Sequence, residues 1–177
     1  MSQLDVVNAL GQLLHDQQLL KRFIENRESV IEELGIAKDQ SAFFLNLKDE
    51  QLKTQADSLV HKRRGEVAEL IPNTWDRLGN KAISSFNQYA AEAEWPDGHR
   101  RHFLDAGQFC EFLRRQVSSG YLKSEHHWIK FLCHPKRISI RFVSDFIVRG
   151  KKRFAIQCCY RHRGRPRLKA FYLGVRS

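Results

Sequence analysis

His126, His127, Cys133 and His134 are the densest set of metal-ligand side chains in the chain, all within residues 126–134. Such groups hold an ion only if they converge. On a helix, His126 and His127 point about 100° apart. No second ligand pair, H-E-x-x-H or facial-triad spacing accompanies them, so the spacing predicts no metal site in this chain. Nucleophilic and acid–base chemistry is equally unsupported. After residue 98 the carboxylates are Asp105, Glu111, Glu125 and Asp145, and none has a partner at catalytic spacing. There is no Walker loop, G-x-S-x-G or G-x-G-x-x-G. Cys133 beside His134 is adjacency in sequence, which does not make nucleophile–base geometry. Cys158 and Cys159 are neighbours on a predicted strand and face opposite sides, a poor arrangement for a disulfide. With Cys110 and Cys133 they read as reduced structural thiols. The expectation is a chain with no catalytic residue and no cofactor of its own.

Binding chemistry is better represented. Residues 1–98 carry 11 Lys and Arg against 16 Asp and Glu, a net −5, whereas residues 99–177 carry 19 against 4, a net +15. A charge split of this kind implies an anionic partner for the second half: nucleic acid, an acidic peptide or an acidic protein surface. Arg161, Arg163, Arg165, Arg167 and Lys169 lie close together near the C-terminus. The N-terminus lacks the basic start and apolar run of a signal peptide, and no apolar run reaches spanning length. The expected compartment is therefore the cytoplasm, with no membrane partner.

The elements that position these cations read as α+β. Residues 3–94 are expected to be helical. Leu4, Val7, Leu10 and Leu14 recur at helical spacing, and Asp16 is placed to cap a second helix. Gly35 is placed to end a third, and Asp39 or Ser41 to start a compact apolar fourth. The longest helix should run from Asp49 to about Ile71, with Leu52, Ala56, Leu59, Val60, Val67, Leu70 and Ile71 buried and Lys62-Arg63-Arg64 outside the stripe. Pro72 interrupts it, and Trp75 and Leu78 fall in a short restart. A further helix follows Gly79-Asn80. Trp95-Pro96-Asp97-Gly98 is the clearest break, dividing a helical domain (1–97) from a second domain (98–177). That second domain reads as a helix ending at Gly120, a shorter helix from Glu125 to Leu132, then three strands. The strands are expected at Arg137–Val148, Arg153–Tyr160 and Leu168–Val175, joined by basic turns that include Arg149 and Arg163. Phe154, Ile156, Cys158 and Tyr160 alternate with a more polar set. Alternation fails at Ser144-Asp145, where a bulge is expected. A winged-helix-like layout fits this order.

An antiparallel meander leaves its last strand with one neighbour, so Leu168–Leu173 is the edge predicted to accept another strand. Lys62 to Gly79 (KRRGEVAELIPNTWDRLG), followed by Phe86 and Tyr89, resembles the helical partner proteins encoded beside multinuclear iron-dependent oxidases. Together with the basic three-stranded C-terminus and the total length, it is most similar to the C proteins of methanobactin biosynthesis. The resemblance implies a non-catalytic subunit of a heterodimer, with iron held by the oxidase partner. That complex converts cysteines of a ribosomally made precursor to oxazolone and thioamide groups, and the precursor's leader adds as a strand to the C-terminal part. On this reading Leu168, Lys169, Ala170, Phe171, Tyr172 and Leu173 pair with the leader, while Arg161, Arg163, Arg165 and Lys169 attract its acidic residues. Trp95, His99, Arg100, Arg101 and His102, an aromatic-basic loop, are expected to meet the oxidase. The competing expectation is a basic, winged-helix-like regulator that binds DNA phosphates.

Overall fold

The structure is a computed structural model that describes residues 5–148 and 151–173. Among the described residues, nine helices precede a three-stranded antiparallel sheet of order β1-β2-β3, an α+β fold. No described helix is long and apolar enough to cross a membrane. The chain divides into two compact units, Met1–Arg64 with Asn87–Trp95 and Gly65–Phe86 with Pro96–Ser177.

In the first unit, short helices are fixed by side-chain caps. Asp5 accepts from the N–H of Val7 to start α1 (Val6–His15), and Asp16 accepts from Gln18 and Leu19 to start α2 (Gln17–Glu25), as expected. Asn26 caps α3 (Arg27–Glu33), and Gly35 follows it at φ 64°, where a side chain would be strained. The fourth helix, α4 (Lys38–Leu45), begins at Lys38, slightly ahead of the expected Asp39 or Ser41, because Ala37 is the last extended residue. Leu13, Leu20, Phe23, Val30, Phe44, Leu52 and Ala56 close this core.

Asp49–Leu70 forms α5, within a residue of the expected span. Its buried stripe departs from expectation at Arg63, which is only 3% exposed. Leu52, Ala56, Arg63 and Val67 fall on one helical face. The Arg63 guanidinium lies 5.2 Å from the Tyr89 ring centroid and 6.0 Å from that of Trp95, and it donates to the Ala93 carbonyl. Aromatic faces and a carbonyl thus replace the water that this charge would otherwise need.

The second unit holds α6 (Pro72–Leu78), α8 (Arg101–Arg114), α9 (Gly120–Cys133) and the sheet; α7 (Asn80–Glu92) is shared between the units. Trp75, Phe86 and Phe109 form an aromatic cluster with centroids 5.2–6.3 Å apart. Gly120, expected to end α8, instead opens α9, and it does so for want of a side chain. A Cβ there would lie 2.5 Å from the Phe146 nitrogen and 2.7 Å from both Ser144 O and Asp145 C. Those atoms belong to the bulge in β1 (Ile138–Val148), where Asp145 has φ 69° and the register shifts between Val143 and Phe146. The bulge expected at Ser144-Asp145 is therefore present, and α9 starts against it.

Gly120→Ala should lower stability by about 2–3 kcal/mol, because backbone rather than a flexible side chain must yield. Urea unfolding checks this; an unchanged midpoint at unchanged m-value would mean that α9 does not need the close approach.

Candidate functional site

The candidate site is the sheet, and its turn sets the geometry. The second and third strands, β2 (Lys151–His162) and β3 (Arg165–Leu173), are longer than expected at the turn end and joined by Arg163-Gly164 alone. Both turn residues have positive φ, 50° and 76°, the combination a two-residue hairpin matched to strand twist requires. The expected third strand ran to Val175; its last two residues, like Arg149 of the first basic turn, lie outside the described residues.

Pairing directions follow from this register. Arg161 donates its backbone N–H to Arg137 O on the β1 side. Residues alternate along a strand, so His162, Tyr160, Cys158 and Ile156 turn their backbone groups toward β3. Their partners Arg165, Arg167, Lys169 and Phe171 complete the β2–β3 ladder. The intervening Pro166, Leu168, Ala170 and Tyr172 turn their backbone groups to the outer edge. Pro166 fits this pattern: its missing N–H falls where β2 needs none. Among the described residues no strand lies beyond β3.

The same register sorts the faces. Ser139, Arg141, Val143, Ala155, Gln157 and Cys159 face α9. Ile138, Ile140, Phe142, Phe154, Ile156, Cys158, Tyr160, Phe171 and Leu173 share the other face. The exposed face is the apolar one. Phe142 is 72% exposed, Phe154 63% and Phe171 56%, whereas Gln157 is fully buried. The helix covers β1 and β2, and every β3 side chain whose exposure is described is exposed.

Three consecutive α9 residues fix the sheet and the helices around it. Glu125 accepts from the N–H groups of Asn73 and Thr74 at 2.9 Å and from the Asn73 side chain at 3.0 Å, capping the start of α6. His126 points to α8, its Nε2 3.2 Å from Glu111 Oε1 but off the hydrogen-bond line. Burial, and then the Lys130 ammonium, push His126 down to about 4 despite the opposing pull of Glu111. His127 points to the sheet, with Nδ1 2.9 Å from Gln157 Oε1 and Nε2 2.7 Å from Ser139 Oγ. Gln157 Nε2 donates to Ser124 O, which aims its Oε1 at the ring. His127 is therefore assigned as neutral, donating at Nδ1 and accepting at Nε2. Burial lowers its pKa as well. The two rings face different elements, as their helical spacing predicts. Among the described residues no three His, Cys, Asp or Glu side chains are placed to hold a metal ion. All four cysteines are free thiols, and burial raises Cys159 to about 11 and Cys133 above its usual value.

Of the predicted site residues, Arg163, Arg165, Leu168, Lys169, Ala170, Phe171 and Leu173 are exposed on the turn and on β3; Tyr172 belongs to the same strand. Arg161 is engaged elsewhere. Its guanidinium donates to the carbonyls of Lys136, Phe131 and His134 and lies over the Phe131 ring, tying β2 to the end of α9. Trp95 packs on His15 and Arg63 in the first unit. In the second unit His99, Arg100 and Arg101 are exposed, with Arg100 donating to Cys133 O, and His102 is half-buried beside Phe103. Sequence reasoning missed the roles of Glu125, His127 and Gln157. The one available signal was Gln157 between small Ala155 and Cys159, a spacing that admits a close helix.

A family model described as SCO6045-like, C-terminal domain, a description that names no activity, matches residues 46–115, the stretch from just before α5 to the end of α8. The chain is similar to that family there. No curated protein and no solved structure matches it.

The depressed His126 gives a signed pH dependence. Unfolded, the ring titrates near its ordinary 6.5; folded, near 4. Between these values the unfolded chain binds more protons, so stability falls as pH drops through this window and is fully present above it. From pH 7.5 to 5 this ring alone should remove about 2 kcal/mol. Urea unfolding of His126→Leu should show a correspondingly flatter pH profile; an unchanged slope would assign the effect to another group.

Proposed function

We propose that the chain is a non-catalytic partner subunit that binds an extended, acidic leader of a ribosomally made precursor along β3 and presents the precursor's cysteines to an iron-dependent oxidase. The observation that carries this reading is the outer edge of β3. Its backbone groups at Leu168, Ala170 and Tyr172 have no strand partner among the described residues, and Arg163, Arg165, Arg167 and Lys169 stand exposed beside them. An added strand satisfies such groups with main-chain bonds that contribute about 1 kcal/mol each. That is too little alone for tight binding. The exposed cations supply encounter rate and select an acidic strand, while Leu168 on one face and Phe171 and Leu173 on the other offer register-dependent apolar contacts.

The oxidase half of the reading rests on the sequence resemblance of residues 62–89 to partner proteins of multinuclear iron-dependent oxidases. In that proposed complex, the iron and the dioxygen-dependent oxidation of cysteine to oxazolone and thioamide belong to the partner. This chain's part is to fix one end of the peptide so that its cysteines reach the oxidase as an effectively intramolecular substrate. The proposed setting is the cytoplasm, and the contact proposed for the oxidase is the exposed basic run His99 to Arg101 with His102; Trp95, expected in the same contact, packs on His15 and Arg63 in the first unit.

Ala170→Pro tests the edge without touching the β2–β3 ladder, because the N–H it removes points outward. Fluorescence anisotropy with a labelled acidic leader should register a loss of roughly tenfold or more, whereas Lys169→Pro should disrupt the hairpin itself. Unchanged affinity in a folded Ala170→Pro variant would move the peptide off this edge. Co-expression with a multinuclear iron-dependent oxidase should give one co-eluting complex on size exclusion; elution of the chain alone would end the heterodimer reading.

A further inference from the structure

The outer face of the sheet is a second surface, distinct from the β3 edge. Four cross-strand rows build it: Ile138–Tyr160–Arg167, Ile140–Cys158–Lys169, Phe142–Ile156–Phe171 and Phe154–Leu173. Its exposed members, Ile138 and Ile140 at 62%, Phe142, Phe154, Phe171 and Leu173, are large. Six large apolar side chains exposed on one face are the kind of patch that marks a protein-docking surface rather than scattered exposed residues. The face is not uniform. Its β1 and β2 columns are almost wholly apolar, and its β3 column begins with Arg165, Arg167 and Lys169.

A sheet face this apolar calls for a second layer, as α9 provides for the opposite face. We infer that this face docks a partner protein through an amphipathic helix whose apolar stripe is bordered by carboxylates. The dimensions fit. Four rows at two residues per row span about 20 Å along the strands, which a helix of about 13 residues matches. The charge fits as well. Residues 136–176 contain 13 Lys and Arg and one acid, Asp145, and that carboxylate is held by Lys123 and Ser144. A second copy docking through this same face would bring another basic column and no free carboxylate to meet the first. An acidic helix lays its apolar stripe over Phe142, Ile156 and Phe171 and its carboxylates beside Arg167 and Lys169. This contact does not depend on strand addition at β3, since Phe142 lies on β1, two strands away from that edge.

The test uses the full chain and two labelled 18-residue helical peptides. They share a Leu and Phe stripe and carry either Glu or Lys along its border. The Glu peptide should bind at least about tenfold tighter than its Lys twin, and Phe142→Ser with Phe171→Ser should lower its affinity by at least about tenfold. Because both rings are exposed, that variant should melt within a few degrees of the wild type. Arg167→Glu with Lys169→Glu, which leaves the apolar face intact, should reverse the preference between the peptides. Ala170→Pro should leave the Glu peptide bound, which separates this contact from the leader edge. Equal binding of the two peptides, or wild-type affinity in the Phe142/Phe171 variant, overturns the proposal. So does a wild-type dimer in sedimentation that this variant abolishes, since the occupant is then a second copy.

Discussion

The second unit hangs on three consecutive buried side chains, Glu125, His126 and His127, which leave α9 in three directions. Helical geometry separates each from the next by about 100°. One turn of helix therefore addresses α6, α8 and the sheet at once. Glu125 does for α6 what its own sequence does not: Ile71 stands at the N-cap with no side-chain cap, and Pro72 has no N–H to offer. A carboxylate from fifty residues onward satisfies the next two donors and sits favourably at the positive end of the helix. His127 does the equivalent for the sheet, joining Ser139 of β1 and Gln157 of β2 through one ring. Removing any one partner would strand a buried polar group, which costs more than the bond itself contributes.

That polar attachment explains why the sheet buries its less apolar side. Sequence alternation identified two faces correctly but could not say which lies inward, because the usual inference assigns the apolar face to the core. Here α9 closes on the other face, where Val143, Phe146 and Ala155 pack with Tyr121 and the His127–Gln157–Ser139 cluster needs no apolar neighbours. Small residues at 155 and 159 let the helix approach, and Gly120 brings its first turn onto the β1 bulge. None of these requirements has a local signature. Each is a long-range fit between residues far apart in the chain, whereas the Asp16 cap, the Gly35 stop, the break at Pro72 and the bulge at Ser144-Asp145 are encoded within a few residues and were legible.

The candidate edge was legible for the same reason, in that strand order follows from short turns. Its cations were less so. Arg161 and Arg163 look alike in sequence. Yet Arg161 is consumed by three carbonyls at the end of α9, while Arg163 occupies a left-handed turn position normally given to Asn, Asp or Gly. Arg63 is the parallel case in the first unit: a charge run reads as solvated, but its middle member falls on the buried stripe and is absorbed by aromatic rings. Basic residues have long apolar stems, and their fate is decided by what the fold places at their tips.

An uncovered terminal strand with Leu168, Phe171 and Leu173 exposed is, on general grounds, an invitation to edge-to-edge pairing between identical chains. Arg165, Arg167 and Lys169 are spaced through that same strand. Two copies aligning these edges would bring the cations of each into range of the other, with no carboxylate on either β3 to offset them. An acidic strand meets the reverse condition. The charges that keep the edge from its own kind are thus the charges that favour an acidic partner. On the proposed reading, the same residues disfavour pairing between copies and favour the acidic leader, without any rearrangement of the sheet.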